Sequence, residues 1–211
     1  MSHIVLFGDS IFDNSSYVGS GGKDVVTHLR ELLPDDAKAT LRAVDGAVIE
    51  GVHRQLLDAP ETATHFVLSV GGNDAIRNAD LLDMRAGSSA EVLEVISRRR
   101  DVFESQYREM LKTVLAKNLP TAVCTIYNPN FPEPQIQRIA VTALSIFNDV
   151  IIRHAILNNL PLLDLRLICN EKSDYANPIE PSDMGGKKIA AKIYEMVRTQ
   201  NSLGGRTTVF I

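Results

Sequence analysis

The chain has 211 residues, of which 45% are hydrophobic and 23% are charged. This length and composition fit one sizeable globular domain and leave little room for two. The net charge of −4, without a dense basic cluster, argues against a nucleic-acid-binding protein.

Short apolar runs alternate with helical patterns along the chain. The predicted strands are His3–Phe7, Ala39–Val44, His65–Val70, Thr121–Tyr127 and Leu160–Leu163. The predicted helices are Lys23–Leu33, Ala47–Leu57, Ser89–Lys117, Pro134–Asn158 and Gly186–Val197. This alternation predicts a three-layer α/β/α sandwich around a five-stranded parallel sheet. We expect one domain over residues 1–200 and a tail over 201–211, which is either a loose end or a contact that joins subunits in an oligomer.

Signals for export, membranes and metals are weak. The first residues lead directly into an apolar strand, without the basic segment and cleavage site of a signal peptide. No run reaches the roughly 18 consecutive apolar residues of a membrane span. Cys124 and Cys169 lie in apolar segments and are expected to be core residues. We therefore expect a cytoplasmic protein without a membrane span or a cofactor.

Chemically capable residues follow the first three predicted strands. Ser10 ends Gly8-Asp9-Ser10, Gly46 follows the second strand, and Asn73 lies in Gly71-Gly72-Asn73-Asp74. Each residue alone has an ordinary structural interpretation, since serine caps helices and glycine and asparagine make turns. Together they suit a nucleophile and its oxyanion donors, because the carboxyl ends of parallel strands meet at the ligand-binding edge of a sheet.

These segments resemble the motifs of the SGNH, or GDSL-type, hydrolases. Phe7-Gly8-Asp9-Ser10 is similar to the GDS block, Gly46 to the glycine block and Gly71-Gly72-Asn73-Asp74 to the GxND block. The resemblance extends over roughly residues 4–197 and implies a flavodoxin-like fold that hydrolyses esters or thioesters. It also implies that Ser10 is the nucleophile, and that the Ser10 N–H, the Gly46 N–H and the Asn73 side chain form the oxyanion hole.

The sequence departs from this family at the catalytic base. The family reads Asp-x-x-His-Pro where this chain has Asn177-Pro178-Ile179-Glu180-Pro181, and no histidine follows His154. A glutamate has a reference pKa about two units below that of histidine, but partial burial raises it. Glu180 is therefore the best candidate base, with the alternative that it only hydrogen-bonds Ser10 or a loop amide.

Other polar residues are predicted near the same edge. Asp9, Asp13, Asp74 and Asn128 are candidate substrate contacts. A carboxylate cluster of this kind could instead hold Mg²⁺ or Ca²⁺. The family resemblance implies, however, that Asp9 braces its turn, and Asp13 is also suited to cap the first helix. The segments 78–88 and 128–134 are expected to shape the pocket.

The residues predict a serine esterase that acts on a small-molecule ester with an atypical base. Three alternatives remain open at this point. A flavodoxin-type cofactor carrier is compatible with the strand order, but it leaves the coincidence of Gly46 and Asn73 at the strand ends unexplained. The missing histidine favours a non-catalytic ligand-binding or sensing module on the same fold. The acidic cluster suggests a metal-dependent phosphoesterase. The sequence lacks, however, the histidines that such sites usually include.

Overall fold

A computed structural model of the chain describes residues 2–199 and 206–211. A six-stranded, all-parallel sheet lies between two layers of helices, with the strand order β2-β1-β3-β4-β5-β8. Its strands are β1 His3–Gly8, β2 Lys38–Leu41, β3 His65–Ser69, β4 Thr121–Cys124, β5 Leu162–Leu163 and β8 Val209–Phe210. The predicted three-layer α/β/α fold is confirmed, with one more strand than expected.

The described residues form seven α-helices, two more than the sequence pattern predicted. They are α1 Val25–Leu32, α2 Ile49–Leu57, α3 Gly72–Ile76, α4 Ser89–Leu115, α5 Pro134–Leu157, α6 Leu165–Ile168 and α7 Asp183–Thr199. The short helices α3 and α6 were missed because five and four residues are too few to show helical periodicity. A small antiparallel hairpin, β6 Tyr175–Asn177 and β7 Glu180–Pro181, precedes α7.

Alternate side chains of each strand enter two separate cores. In β1, Ile4 and Leu6 pack with α1 and α7, whereas Val5 and Phe7 pack with α2, α4 and α5. Strands that are buried on both faces read as continuous apolar runs, which is why they could be located from the sequence.

The described part of the tail belongs to the chain's own sheet. The backbone of Val209–Phe210 pairs with β5, and the Phe210 side chain is buried. A two-residue strand is too short to show an alternating pattern, so the sequence did not reveal it. The predicted boundary between residues 200 and 201 lies outside the described residues.

Helix α5 is long and apolar enough, by length and composition, to cross a membrane, and about one third of its most apolar 18-residue window is buried. Its second half contributes Phe147, Val150 and Ile151 to the core. The second half of α5 therefore packs in the core, while its first half remains largely uncovered.

The strand order places the end of β1 at a topological switch point. The chain passes from β1 to β2 on one side and then returns to β3 on the other side of β1. Ligands of open parallel sheets bind in the crevice outside such a point. Ser10 lies two residues beyond the end of β1.

Candidate active site

The Ser10 hydroxyl and the Glu180 carboxylate form a buried pair. Ser10 Oγ donates a hydrogen bond of 3.0 Å to Glu180 Oε1. Ser10 is 7% exposed and Glu180 is 6% exposed. The second carboxylate oxygen, Oε2, is also buried and has no hydrogen-bond partner among the described residues.

The surroundings of Glu180 make its carboxylate a stronger base. Burial raises the pKa of Glu180 to about 7, and the negative charge of Asp45 contributes in the same direction. The hydrogen bond from Ser10 opposes these effects because it stabilises the ionised form. A carboxylate with this pKa is ionised in a large fraction of molecules at neutral pH, and it holds a transferred proton about as well as histidine does.

The β6–β7 hairpin holds Glu180 in place. Asn177 Oδ1 accepts a hydrogen bond of 2.9 Å from the Ile179 N–H and closes the turn. On the other side, buried Asn14 donates from Nδ2 to the Pro181 carbonyl at 3.2 Å and accepts from the Val25 N–H at 3.0 Å. Asn177, which stands at the position of the family's aspartate, therefore shapes the turn.

Gly46 lies in a loop that is fixed from both sides. Before it, the Asp45 N–H donates to Asp13 Oδ2 at 2.9 Å, and after it, the Ala47 carbonyl accepts from Asn73 Nδ2 at 3.0 Å. Gly46 has a φ of +75°, a conformation that favours glycine. These bonds tie the loop both to the segment after Ser10 and to α3.

Three donors near the strand ends remain available to a ligand. Within residues 2–199 and 206–211, neither the Ser10 N–H nor the Gly46 N–H donates to another protein group. Asn73 Nδ2 uses one of its two hydrogens on Ala47. This is the donor set that the family resemblance implied for an oxyanion hole.

Buried Gln55 positions the strand end that carries Ser10. Its Oε1 accepts from the Gly8 N–H at 2.8 Å, and its Nε2 donates to the Gly8 carbonyl at 2.7 Å. Gly8 has a φ of +132°, and a Cβ atom there would lie 1.8 Å from the Ser69 carbonyl oxygen. The sequence interpretation missed Gln55, although its spacing from Val52 and Leu56 places it on the apolar face of α2.

The other predicted polar residues serve mainly to fix the loops. Asp9 Oδ1 accepts from the Ile11 N–H at 3.2 Å, which confirms that it braces its turn. Asp74 accepts from the Ile49 N–H at the start of α2 at 3.1 Å. The Asn128 carbonyl accepts from Tyr175 Oη at 2.7 Å.

Burial changes the ionisation of two of these carboxyl groups. It raises the pKa of Asp9 to about 8. The hydrogen bond from the Ile11 N–H lowers this pKa, and the nearby negative charge of Glu180 raises it. Burial also raises the pKa of Asp74, again against a backbone hydrogen bond. Asp9 is therefore largely protonated at neutral pH.

Two of the alternatives for the acidic residues do not fit the structure. The prediction that Asp13 caps the first helix is wrong: Asp24 caps α1 by accepting from the Thr27 N–H, and Asp13 instead holds the Asp45 N–H. The carboxylates also fail as a metal centre, because no group of three or more metal-ligating side chains within the described residues could hold an ion.

None of the five histidines is hydrogen-bonded to Ser10, and none lines the groove beside this serine that is described below. His3 bonds Thr62 and Thr40, His28 bonds Asp183 at 2.5 Å, and His154 bonds Glu104 at 3.3 Å. His65 bonds its neighbour Thr64, and His53 is exposed on α2. Glu180 is thus the base candidate that the structure brings to Ser10.

A groove of about 770 Å³ leads away from Ser10 and contains Asp9, Asn73 and Glu180 in its lining. The segments predicted to shape the pocket do so, through Asn78, Leu82, Pro129 and Phe131. Gly46, Asp13, Asp74 and Asn128 are not among its lining residues. Most of the lining is apolar, and its Tyr127 hydroxyl donates to the Ile179 carbonyl beside Glu180.

Comparison with known proteins shows the family of the chain. The sequence model of the GDSL-like lipase/acylhydrolase family matches residues 6–186, which include Ser10, Gly46, Asn73 and Glu180. The chain belongs to this family. Membership of this family supports the interpretation of the protein as an acyl hydrolase. A search of curated protein sequences finds no match.

Solved GDSL-like structures share the fold at low sequence identity. The acetyl xylan esterase AlAXEase has a TM-score of 0.68 and 21% identity, over 92% of this chain and 99% of its own. A lipase/acylhydrolase from Enterococcus faecalis has a TM-score of 0.66 and 17% identity, over 95% and 97%. Phospholipase A1 from Streptomyces albidoflavus NA297 has a TM-score of 0.64 and 16% identity, over 96% and 99%.

Proposed function

We propose that the protein hydrolyses carboxylic esters, with Ser10 as nucleophile and Glu180 as general base. The observation that carries this proposal is the 3.0 Å hydrogen bond from Ser10 Oγ to a buried carboxylate whose pKa is raised to about 7. General bases act at hydrogen-bond distance from the proton that they accept, and most efficiently with a pKa near the working pH.

In the first half of the reaction, Ser10 Oγ attacks the ester carbonyl carbon and its proton moves to Glu180 Oε1. The carbonyl oxygen becomes an oxyanion that accepts from the Ser10 N–H, the Gly46 N–H and Asn73 Nδ2. When the tetrahedral intermediate collapses, Glu180 returns the proton to the leaving oxygen. The alcohol departs, and the acyl group is left on Ser10.

In the second half, water replaces the alcohol. Glu180 accepts a proton from the water as its oxygen attacks the acyl carbon, and it returns that proton to Ser10 Oγ as the acid is released. Glu180 begins and ends each half as a carboxylate, so no cofactor is needed.

A fluorophosphonate probe tests the nucleophile directly. We expect the wild-type protein to be labelled on Ser10, as located by mass spectrometry, and Ser10→Ala to remain unlabelled. Glu180→Gln keeps an oxygen that accepts the Ser10 hydrogen bond but cannot take the proton, so kcat should fall about 10²- to 10⁴-fold. A free energy of unfolding in Glu180→Gln that is not lower than that of the wild-type protein would show that the loss is chemical.

The alternative outcome is equally specific. A folded wild-type protein that is neither labelled nor active on short p-nitrophenyl esters would refute the esterase proposal. Binding of an ester by such a protein, without turnover, would support a ligand-binding module on the GDSL-like fold.

A further inference from the structure

The groove beside Ser10 exposes an unusual amount of apolar surface. Its walls come from the first half of α5, from the 3₁₀ helix Ala79–Asp83 and from the first half of α4. Five large apolar side chains in its lining are between 40% and 59% exposed. They are Ile76, Leu82, Ile136, Ile139 and Ile179. Contiguous exposed apolar surface of this kind is typical of ligand-binding grooves.

The groove offers little to an anionic ligand. Arg99, the single cation in the part of its lining that the structure describes, is already paired with Asp80 at 3.1 Å. From Pro134 to Asn148, the wall helix α5 carries one charged side chain, Arg138. The shape and chemistry therefore suit a hydrocarbon chain.

The topology separates the groove from the polar side of the site. The groove extends from Ser10 towards residues that follow β3 and β4, and towards α4 and α5. Asp13 and Asp45 lie on the β2 side of Ser10, and Tyr17 Oη donates to Asp45 Oδ2 at 2.8 Å. Because Asp45 is exposed to solvent, this second side offers an exit to a polar leaving group that takes its proton from Glu180.

We propose that the acyl part of the substrate is a long unbranched hydrocarbon chain that lies along this groove, and that the alcohol leaves on the side of Asp13 and Asp45. The inference rests on the proposed esterase function. Ile136 and Phe147 both line the groove, and eleven helical steps of about 1.5 Å separate them by roughly 16 Å along α5. An extended chain that advances about 1.25 Å per carbon, from C–C bonds of about 1.5 Å, covers this length with about 12 carbons.

A series of p-nitrophenyl esters measures the acyl preference of the wild-type protein. We expect kcat/KM to rise from acetate through octanoate to dodecanoate, by up to about threefold per added methylene that is buried. A series of acetate esters of alcohols from ethanol to dodecanol is the matched arm, and it should show no comparable rise. Highest activity on acetate, or a rise with the alcohol chain instead, would overturn the proposal.

A bulky side chain in the groove tests where the chain lies. Ala143 lines the groove from α5, whereas Ser145 is exposed on the same helix outside it. We expect Ala143→Phe to lower the ratio of kcat/KM for dodecanoate to that for acetate at least tenfold. Ser145→Phe should keep the wild-type ratio. Equal ratios in the two variants would place the acyl chain elsewhere.

Binding to Ser10→Ala separates this inference from the proposed function. In that variant, methyl dodecanoate should displace the fluorescent apolar probe ANS, and methyl acetate should not. Displacement together with an inactive wild-type protein would refute the esterase proposal and retain the hydrocarbon groove. Activity of the wild-type protein on acetate esters, without displacement of ANS by methyl dodecanoate, would support the esterase proposal and refute the hydrocarbon groove.

Discussion

Ser10 and Glu180 are 170 residues apart in the sequence, and one hydrogen bond of 3.0 Å joins their side chains. The pair differs in charge from a serine–histidine–aspartate triad. In a triad the base becomes a cation that faces the oxyanion, whereas in the proposed reaction Glu180 starts as an anion and becomes neutral. Under this proposal, stabilisation of the oxyanion depends on the N–H donors of Ser10, Gly46 and Asn73.

The first prediction concerns the pH dependence of activity. The proposed base must be ionised, and burial raises the pKa of Glu180 to about 7. Activity should therefore rise from pH 5 to pH 9 with its midpoint near 7. The measurement is kcat/KM for p-nitrophenyl acetate, corrected for spontaneous hydrolysis. Glu180→His, which supplies an imidazole at the same position, should retain a rising profile, whereas a flat wild-type profile would exclude Glu180 as the base.

Asn73→Ala should impair the chemical step. It removes the side-chain donor proposed for the oxyanion, and loss of one such donor lowers kcat by about 10²- to 10³-fold with a small change in KM. Steady-state kinetics on a short ester gives both constants. Asn158→Ala is the control, because it removes a comparable 2.8 Å side-chain bond, to the His154 carbonyl, at the far end of α5. A loss confined to KM in Asn73→Ala would contradict the assignment.

Gln55→Ala should lower both stability and activity. Without the side chain, the buried Gly8 N–H loses its 2.8 Å acceptor, at a cost of about 1–3 kcal/mol. The turn that carries Ser10 should loosen, so kcat should fall. Urea unfolding and kinetics measure the two effects. Gln135→Ala, at an exposed position on α5, is expected to change neither.

Asp9 should make the protein less stable as the pH rises. Its folded pKa of about 8 lies above its unfolded value, so the folded state binds the proton more tightly. The contribution of Asp9 to the free energy of unfolding is constant below about pH 4 and decreases as the pH rises towards 8. Asp9→Asn keeps a side-chain oxygen for the Ile11 N–H but does not ionise.

Urea unfolding at pH 5 and pH 9 tests this expectation. The wild-type protein should lose more stability between the two pH values than Asp9→Asn, by on the order of 3 kcal/mol. Since Glu180 contributes with the same sign, Asp9→Asn should retain part of the slope. Parallel slopes in the two proteins would show that Asp9 is not buried in its neutral form.

Sequence patterns located the main strands and long helices because burial on both faces leaves continuous apolar runs. They placed the strand ends less well. The predicted β4 continues to Tyr127, whereas the observed strand ends at Cys124, because the Asn148 side chain, instead of a neighbouring strand, bonds the N–H and the carbonyl of Ile126. Tail strand β8 and helix α3 are too short to carry a periodic signal.

The site was predictable where its residues lie in strand-end motifs. Ser10, Gly46 and Asn73 could be expected to meet because parallel strands end at one edge. The pairing of Glu180 with Ser10 was inferred only from alignment with the family. The contacts of Asn14 and Gln55 depend on side-chain packing across distant segments, which a single sequence does not encode visibly.

The lack of space for a side chain at Gly8 limits how the sequence near Ser10 can change. A Cβ atom at this position would overlap the Ser69 carbonyl oxygen, so saturation mutagenesis of codon 8 should return glycine alone among active clones. The exposed walls at Leu82 and Ile139 face no such restriction. Laboratory evolution would therefore change substrate range through the groove walls and leave the reactive end as it is.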